Sequence, residues 1–215
     1  MRVLFGGSCF LCRGRADDLI CADCDADLTR LDFPLCPRCA LASPGGAVCG
    51  RCLSTAPHYD NTRAVVAYEF PADALVHSLK FRGELALAPL LASLLADRTR
   101  ADNVDHVVPV PLSTKRLRER GYNQSVELAR HLRKDRLDFA LCERTRDARP
   151  QIELPYDERQ RNVRGAFRCT RSLVGARIAV VDDVMTTGAT LNELARTLKA
   201  AGAVHVVNWV VARTL

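Results

Sequence analysis

Four C-x-x-C pairs within the first 52 residues are the densest group of chemically active side chains in this 215-residue chain. In a C-x-x-C turn, both sulfurs can bind one ion about 2.3 Å away, and two such turns complete a closed tetrahedral shell. A closed shell leaves no open position for a substrate. The spacing therefore predicts two structural Zn²⁺ ions, held by Cys9, Cys12, Cys21, Cys24, Cys36, Cys39, Cys49 and Cys52.

We compare two ways in which the four cysteine pairs can combine into two metal sites. Joining neighbouring pairs closes loops of eight and nine residues, which loses less chain entropy than joining the first pair to the third. We therefore prefer the sequential grouping, and the interleaved one stays open. The residues between the pairs are mostly turn formers with few large apolar side chains, so bound metal must supply the folding free energy. This head is expected to dock on or cap its neighbour.

A second chemical signal lies at 178–190. An apolar run, Ile-Ala-Val-Val, leads to Asp182 and Asp183, and a turn rich in threonine and glycine follows and opens a helix. Free N–H groups and the positive end of the helix dipole favour an anion at such a turn. Adjacent carboxylates beside a phosphate site suggest hydroxyl groups between them, as in a ribose. The alternative is that the acids cap the helix and that the threonines form an ordinary turn.

A third signal is basic. The string V-P-V-P at 108–111 ends a short apolar stretch, and four basic residues fall within six positions at 115–120. Because the run follows a strand end, we expect a basic loop at the same sheet edge as the phosphate turn. Pyrophosphate needs cationic donors together with Mg²⁺, for which we assign Lys80, Lys115 and Arg116. The alternative for such a charge run is a solvated helix face.

The elements that must position these groups alternate between strands and helices. Apolar patterns predict strands at 63–70, 105–110, 177–182 and 204–211, with another near 139–143, and helices at 71–80, 84–100, 122–134 and 188–201. This alternation predicts an α/β fold with an open, mostly parallel sheet flanked by helices. We divide the chain into a double zinc ribbon at 1–54, a linker at 55–62 and a second domain at 63–215.

The composition indicates the compartment of the protein and the domain that carries its positive charge. No apolar run has the length of a signal peptide or a membrane span, so we expect a cytoplasmic protein without membrane insertion. The formal charge of +6 is that of the whole chain with neutral cysteines, and because zinc ligands are thiolates, the metal-bound head is negatively charged. The basic character therefore belongs to the second domain, where an anionic ligand is expected. Cys142 and Cys169 stand apart from the pairs and are interpreted as inert core thiols.

The segment at 178–190 resembles the phosphoribosyl pyrophosphate signature of type I phosphoribosyltransferases, in which paired acids precede T-T-G-x-T. The resemblance implies that Asp182 and Asp183 are the catalytic acids and hold the ribose 2′- and 3′-hydroxyls. It also implies that the turn holds the 5′-phosphate through Met185, Thr186, Thr187, Gly188, Ala189 and Thr190. A double Asp→Asn replacement should leave the fold intact if the acids stand at an exposed strand end.

Longer strings resemble the ComF family, whose members combine a type I phosphoribosyltransferase fold with a cysteine-rich head. They are L-K-F-R-G at 79–83, R-L-R-E-R-G-Y-N-Q at 116–124, and a string from Arg146 through Gln151 and Arg159 to R-N-V-R-G-A-F at 161–167. The resemblance covers nearly the whole chain. It implies binding of phosphoribosyl pyrophosphate with Mg²⁺ and a link to natural transformation, with single-stranded DNA and other DNA-uptake proteins as partners.

Two function hypotheses stay open. In the first, the chain is an enzyme of pentosyl transfer in which a nucleophile displaces pyrophosphate from the ribose. In the second, a degenerate phosphoribosyltransferase fold binds single-stranded DNA without catalysis, through phosphate contacts. The residues assigned to nucleic acid are Arg82, Arg118, Arg120 and Arg133, with Tyr122, Tyr156 and Phe167 as candidates for base stacking.

Overall fold

The structure, a computed structural model, describes residues 7–146 and 163–215. The cysteine-rich head contains little regular structure. Its elements are β1 (Gly7–Ser8), β2 (Arg15–Ala16), α1 (Ala22–Ala26), a 3₁₀ turn (Pro44–Gly46) and α2 (Gly50–Ser54). Strands β1 and β2 form an antiparallel pair.

The remainder alternates as the sequence predicts. Its elements are β3 (Asn61–Ala67), α3 (Ala72–Phe81), α4 (Leu87–Thr99), β4 (His106–Pro109), α5 (Thr114–Arg120), α6 (Gln124–Arg130), a 3₁₀ turn (Lys134–Arg136), β5 (Cys142–Arg144), β6 (Phe167–Cys169), β7 (Arg177–Met185), α7 (Ala189–Ala200) and β8 (His205–Arg213).

Four strands form the central sheet in the order β3-β8-β7-β4, and every neighbouring pair is parallel. Parallel neighbours need long crossovers, which the helices provide. Strands β5 and β6 form a separate antiparallel hairpin. The predicted α/β architecture, a mostly parallel sheet with flanking helices behind a cysteine-rich head, is confirmed.

Side chains alternate between the two sheet faces, as the period of a strand requires. Along β7, Ala179 and Val181 pack with leucines of α3, α4 and α6. Ile178 and Val180 pack on the opposite face with leucines of α7. Both faces of the sheet are therefore covered, which explains why β7 is a continuous apolar run rather than an alternating one.

The head is joined to the edge of the sheet. Arg30 bridges Val66 of β3 in antiparallel fashion, the N–H of Leu31 donates to Val65, and the N–H of Ala67 donates to Thr29. These bonds satisfy backbone groups that an edge strand would otherwise expose. The head and the sheet also share their apolar clusters, so the head packs as part of one core.

The structure corrects three local expectations. The basic segment after β4 is a helix, α5, rather than a loop, because Ser113 caps its first turn and Gly121 ends it in the left-handed region at φ 83°. Strand β7 continues through Met185 instead of ending at Asp182. Strand β3 spans Asn61–Ala67 rather than 63–70.

A fourth correction concerns Cys142 and Cys169, which stand apart in the sequence but not in space. Cys142 and Cys169 are directly opposite in the β5-β6 hairpin, and their sulfurs are 3.2 Å apart. In the described residues, no helix has the length and apolar character needed to cross a membrane.

Candidate functional site

The eight cysteines of the head form two groups of four, each with its sulfurs within 4.8 Å of one another. One group is Cys9, Cys12, Cys21 and Cys24, and the other is Cys36, Cys39, Cys49 and Cys52. We call them the first and the second Cys₄ site. The grouping is sequential, as preferred from the loop lengths, and the interleaved alternative is not what the structure has.

The two sites have nearly the same local geometry. The N–H of Cys21 donates to the sulfur of Cys9 at 3.3 Å, and the N–H of Cys49 donates to that of Cys36 at 3.4 Å. Backbone N–H groups, with Cys12 first, lower the pKa of Cys9 to about 6. Around Cys36, burial raises the pKa, but N–H groups outweigh it and the value falls to about 6. These donors favour thiolates, the form that binds zinc, so four sulfurs in this arrangement fit a structural Zn²⁺.

A cavity of about 730 Å³ lies at the carboxyl ends of β4 and β7. Of the residues predicted to bind the sugar pyrophosphate, those that line it are Lys80, Arg116, Asp182, Asp183, Met185, Thr186, Thr187, Gly188, Ala189 and Thr190. The acid pair, the turn and part of the basic run therefore share one cavity of a size typical of small-molecule sites.

The two acids are paired differently. Asp183 is 2% exposed, and Lys80 Nζ lies 2.9 Å from its Oδ2. Asp182 Oδ1 accepts a hydrogen bond from Ser125 Oγ at 2.9 Å. Burial and the charge of Asp183 raise the pKa of Asp182 to about 7, whereas for Asp183 burial raises the pKa, but Lys80 and the N–H of Val184 together lower it. Asp183 is thus ionised, with its charge balanced by Lys80, and Asp182 titrates near neutral pH.

Because Asp183 is buried against Lys80, the expectation that both acids stand at an exposed strand end is wrong. An amide at Asp183 would leave the ammonium group without its partner charge, which destabilises the fold. The acids belong to β7 itself, where Asp182 pairs with Val210. Only Asp182 can be replaced by Asn as a test of binding.

The turn after β7 is built around Gly188, which is the N-cap of α7 at φ 81°. A Cβ there would lie 2.6 Å from Met185 Cε and 3.2 Å from the Tyr59 hydroxyl. Glycine is therefore favoured by the backbone conformation, and any side chain there would have to displace the end of Met185 and press on Tyr59. The Thr187 hydroxyl accepts from the N–H of Ala189, and Thr186 is exposed toward the cavity.

The G-Y-N-Q string after α5 ties three elements to the acids. The Tyr122 hydroxyl donates to the Leu79 carbonyl at the end of α3. The Asn123 side chain caps α6 and also donates to the Val110 carbonyl after β4. Ser125, which directly follows the string, donates from its hydroxyl to Asp182. This string fixes the position of the acid pair relative to the basic helix.

The predicted basic residues separate into two sets. Arg116 and Arg120 are one turn apart on α5, and both line the cavity, although Arg120 was assigned to nucleic acid. Lys115 is outside the lining, and its side chain is 71% exposed beside Glu119. Arg82, Arg118 and Arg133 are also outside the lining. Sequence reasoning missed Tyr68, Phe81, Gln124 and Arg144, which also line the cavity.

In the described part of the chain, the groups of three or more ligand side chains are the two Cys₄ sites. The acid pair offers two carboxylates, one of them already paired with Lys80. Mg²⁺ would therefore need phosphate oxygens to complete its shell, as is common for this ion. Of the predicted string at 146–167, the part containing Gln151, Tyr156 and Arg159 lies outside the described residues.

Comparisons with known proteins agree with the cysteine-rich head and extend over nearly the whole chain. Residues 1–53 match the model of the double zinc ribbon domain. The chain is 37% identical to DNA utilization protein YhgH of Escherichia coli strain K12, over 97% of this chain and 98% of that protein. It is 31% identical to competence protein F of Haemophilus influenzae, over 99% and 100%, and 26% identical to competence protein ComFC of Streptococcus pneumoniae, over 96% and 93%.

Solved structures give weaker matches. The allosteric regulatory enzyme of purine biosynthesis aligns with 57% of this chain and 25% of its own length, at 24% identity and a TM-score of 0.39. UMP synthase of Leishmania donovani aligns with 62% of this chain and 23% of its own length, at 18% identity and a TM-score of 0.36. Only about a quarter of each of these longer chains is spanned.

Proposed function

The chain belongs to the ComF family of competence and DNA utilization proteins, and from this premise we propose that it binds 5-phosphoribosyl-1-pyrophosphate. The ligand would carry Mg²⁺ on its pyrophosphate and occupy the cavity at the end of β7. The observation that carries the proposal is the acid pair beside a threonine turn at the start of α7, within one cavity that Arg116 and Arg120 also line.

Each part of the ligand has a chemical counterpart. The 5′-phosphate fits the 186–190 turn, where N–H groups at the start of α7 and threonine hydroxyls are donors. The ribose hydroxyls fit Asp182, which accepts from Ser125 with one oxygen only. The pyrophosphate fits Arg116 and Arg120 of α5, since planar guanidinium groups bind phosphate oxygens in pairs.

Lys80 has a different role in this proposal from the one predicted. Its ammonium group is bound to Asp183, so its first effect is to balance the buried acid. Burial opposes its charge, but the two acids raise the pKa of Lys80 overall. Lys80 therefore stays charged beside the ribose and adds to the attraction for pyrophosphate from one side of the cavity.

The direct test is calorimetry with phosphoribosyl pyrophosphate and Mg²⁺ on wild type and Asp182→Asn. Replacing a charged acceptor by a neutral one should weaken binding by about tenfold. Arg118→Ala, on the same helix but outside the cavity, is the matched control and should change it by less than about twofold. Equal effects of the two variants would reject Asp182 as a ribose ligand. Pyrophosphate release with nucleobases then separates an enzyme from a binding module.

A second candidate, binding of single-stranded DNA, is favoured by an exposed aromatic at the cavity mouth. Phe81 is 57% exposed, the Arg120 guanidinium lies 5.1 Å from its ring centre, and Arg82 is exposed beside it. A base can stack on such a ring while arginines contact phosphates. Arg82→Ala should lower DNA affinity and reduce its salt dependence by about one phosphate contact. Affinity for the sugar pyrophosphate should not change.

A further inference from the structure

Arg213, the last residue of β8, is a buried cation that contacts both the second Cys₄ site and the phosphate turn. It is 1% exposed, and its Nε donates to the carbonyl of Cys39 at 2.9 Å. Its Nη1 donates to the carbonyls of Met185 at 2.8 Å and Thr214 at 2.6 Å, and also to that of Thr186. A zinc-ligand residue and two turn residues thus share one guanidinium group.

We propose that Arg213 is a positioning residue that makes the phosphate turn depend on the zinc ion of the second Cys₄ site. The inference deepens the proposed function and rests on it for the identity of the ligand. It gives the zinc ribbon a task beyond capping the sheet, because one of its two sites would support ligand binding directly.

The charge of Arg213 fits this role. In the part of the chain that the structure describes, its hydrogen-bond partners are carbonyl groups rather than carboxylates. A buried cation needs a compensating negative charge. Four thiolates around Zn²⁺ leave an excess of negative charge at the site. The second Cys₄ site therefore stabilises the guanidinium, and Arg213 in turn stabilises the zinc-thiolate centre.

The hydrogen bonds of Arg213 also fix the direction of two peptide groups. A trans peptide is planar, and its N–H points opposite to its C=O. When Arg213 holds the carbonyls of Met185 and Thr186 on one side, the N–H groups of Thr186 and Thr187 must point to the other. Both of those threonines line the cavity. Arg213 thereby presents N–H donors to the place where a phosphate would bind.

A second contact strengthens the same connection. Tyr59 is 4% exposed and packs in one cluster with Cys36, Cys39 and Cys52. Its hydroxyl lies behind Gly188, 3.2 Å from where a Cβ would stand. Among residues 7–146 and 163–215, no contact of this kind joins the first Cys₄ site to the turn, and Cys9 belongs to the cluster on the opposite face of the sheet.

The chain itself offers a matched pair of variants. Cys21 and Cys49 are each the N-cap of a five-residue helix and each donate their N–H to the first cysteine of their site. Cys21→Ser and Cys49→Ser should each remove one zinc ion. Only Cys49→Ser should weaken binding of Mg²⁺ with phosphoribosyl pyrophosphate, by more than about tenfold, and Cys21→Ser should stay within about threefold. Hydrogen exchange of the Ala189 N–H, which donates to the Thr187 hydroxyl within the turn, should accelerate in Cys49→Ser alone.

Arg213→Lys tests the connection without removing a zinc ligand. Lysine keeps the charge but cannot span the same carbonyls, so it should retain two zinc ions and still weaken binding about tenfold. Wild-type affinity in this variant, or equal losses for Cys21→Ser and Cys49→Ser, would overturn the proposal. If wild type does not bind the sugar pyrophosphate, the proposed function fails, and the exchange rates still decide whether zinc and the turn are coupled.

A separate observation concerns Cys142 and Cys169. Thr170 donates to Leu141 and Thr145 donates to Ala166 across the hairpin, so the two cysteines occupy a pair without hydrogen bonds between them, where side chains are closest. Their sulfurs are 3.2 Å apart. The hairpin packs on α7 through Cys169 Sγ and the Thr197 carbonyl.

We infer that these two thiols form a disulfide when the protein meets a peroxide. Cys169, which is partly exposed, attacks the peroxide, forming an S–O bond as O–O breaks and one water leaves. Cys142 then attacks that sulfur, so S–S forms, S–O breaks, and the second water carries away the remaining proton. Oxidation would close the base of the hairpin that carries Arg144 into the cavity wall.

Peptide mapping after one equivalent of hydrogen peroxide tests this inference. The expected result is a 142–169 disulfide, with a loss of two hydrogens, while both zinc ions remain bound. In Cys142→Ser, Cys169 should instead be trapped as a sulfenic acid by dimedone. Zinc release with Cys142 and Cys169 still reduced, or no reaction at either residue, would overturn the inference.

Discussion

The two Cys₄ sites have the same local structure and opposite surroundings. In each, the residue after the second cysteine has positive φ, at 66° for Arg13 and 54° for Ala40. In each, the sulfurs of the second and third cysteines lie close, at 3.7 Å and 3.6 Å. The first site packs with the α3 and α4 face of the sheet, and the second packs with Met185 and α7.

The difference shows that a local motif determines its own geometry but not its role. The two zinc knuckles have nearly the same geometry because their cysteine spacing and backbone donors are nearly the same. What distinguishes the second is a distant residue, Arg213, which comes 174 positions after Cys39. Tertiary contacts place one site against the α3 and α4 face of the sheet and the other beside the turn after β7.

The largest expected effect is on stability, and it should be similar for the two sites. Cys9 and Cys36 are both fully buried and hold equivalent positions. Cys9→Ser and Cys36→Ser should each remove one zinc ion and lower the free energy of unfolding by about 3–5 kcal/mol, because metal binding supplies folding free energy. Urea unfolding with metal analysis measures both. Loss of both zinc ions from either variant would show that the sites are not independent.

The next effect sharpens the connection between the second site and the turn. Gly188 and Gly175 have nearly equal φ, at 81° and 79°, but only Gly188 is crowded, by Met185 and Tyr59. Gly175→Ala should cost about 1–2 kcal/mol from backbone strain. Gly188→Ala should cost about 2–4 kcal/mol, because strain and crowding add. Urea unfolding compares them, and equal losses would mean that the turn has room to relax away from Tyr59.

A smaller effect, the pH dependence of ligand affinity, distinguishes the role of the acid pair from that of the zinc sites. Burial and the charge of Asp183 raise the pKa of Asp182 to about 7, and its ionised form accepts ribose hydroxyls better. Affinity of wild type relative to Asp182→Asn should therefore rise by up to about tenfold between pH 6 and pH 8. Calorimetry at several pH values, with zinc content measured at each, tests this. A constant ratio would show that Asp182 does not titrate in the site.

The raised pKa of Asp182 also determines the direction in which stability changes with pH. Without ligand, the folded chain keeps the Asp182 proton up to about pH 7, whereas the unfolded chain releases it near the ordinary value of 3.8. The folded state binds more protons in that interval, so this group lowers stability as the pH rises through it. The Asp182→Asn variant should lack this component.

The smallest effect tests the likeness of the two knuckles. The variants Arg13→Gly and Ala40→Gly would each remove the penalty of positive φ but would increase the entropy of the unfolded chain. The two terms offset each other, so each variant should change the free energy of unfolding by less than about 0.5–1 kcal/mol. Urea unfolding of both variants measures it. A large loss in only one would show that the two turns differ in strain.

The sequence predicted what depends on near neighbours. The grouping of the cysteines follows from short loops, and the β7 strand with its turn follows from an apolar run, two acids and a glycine. The helix α5 was missed because its charged residues were interpreted as a loop, although Ser113 and Gly121 are ordinary signals for its ends. Noticing them would have placed Arg116 and Arg120 on one face.

Other parts of the site depend on contacts that no local pattern contains. Lys80 meets Asp183 across 103 positions, and Cys142 meets Cys169 through the register of a hairpin. The apolar pattern of the last strand was predicted to end at 211, so Arg213 fell outside it. A charged residue just after an apolar strand has no local signal that it turns inward to bind carbonyls.

Calorimetric titration of the zinc-loaded wild-type protein tests the proposed site most directly, with phosphoribosyl pyrophosphate, ribose 5-phosphate and pyrophosphate compared in the presence of Mg²⁺. If the turn, the acids and α5 hold three parts of one ligand, one molecule should bind per chain. It should bind at least about tenfold more tightly than either fragment. Equal affinity for the sugar pyrophosphate and for pyrophosphate alone would contradict a ribose between the acids and the turn.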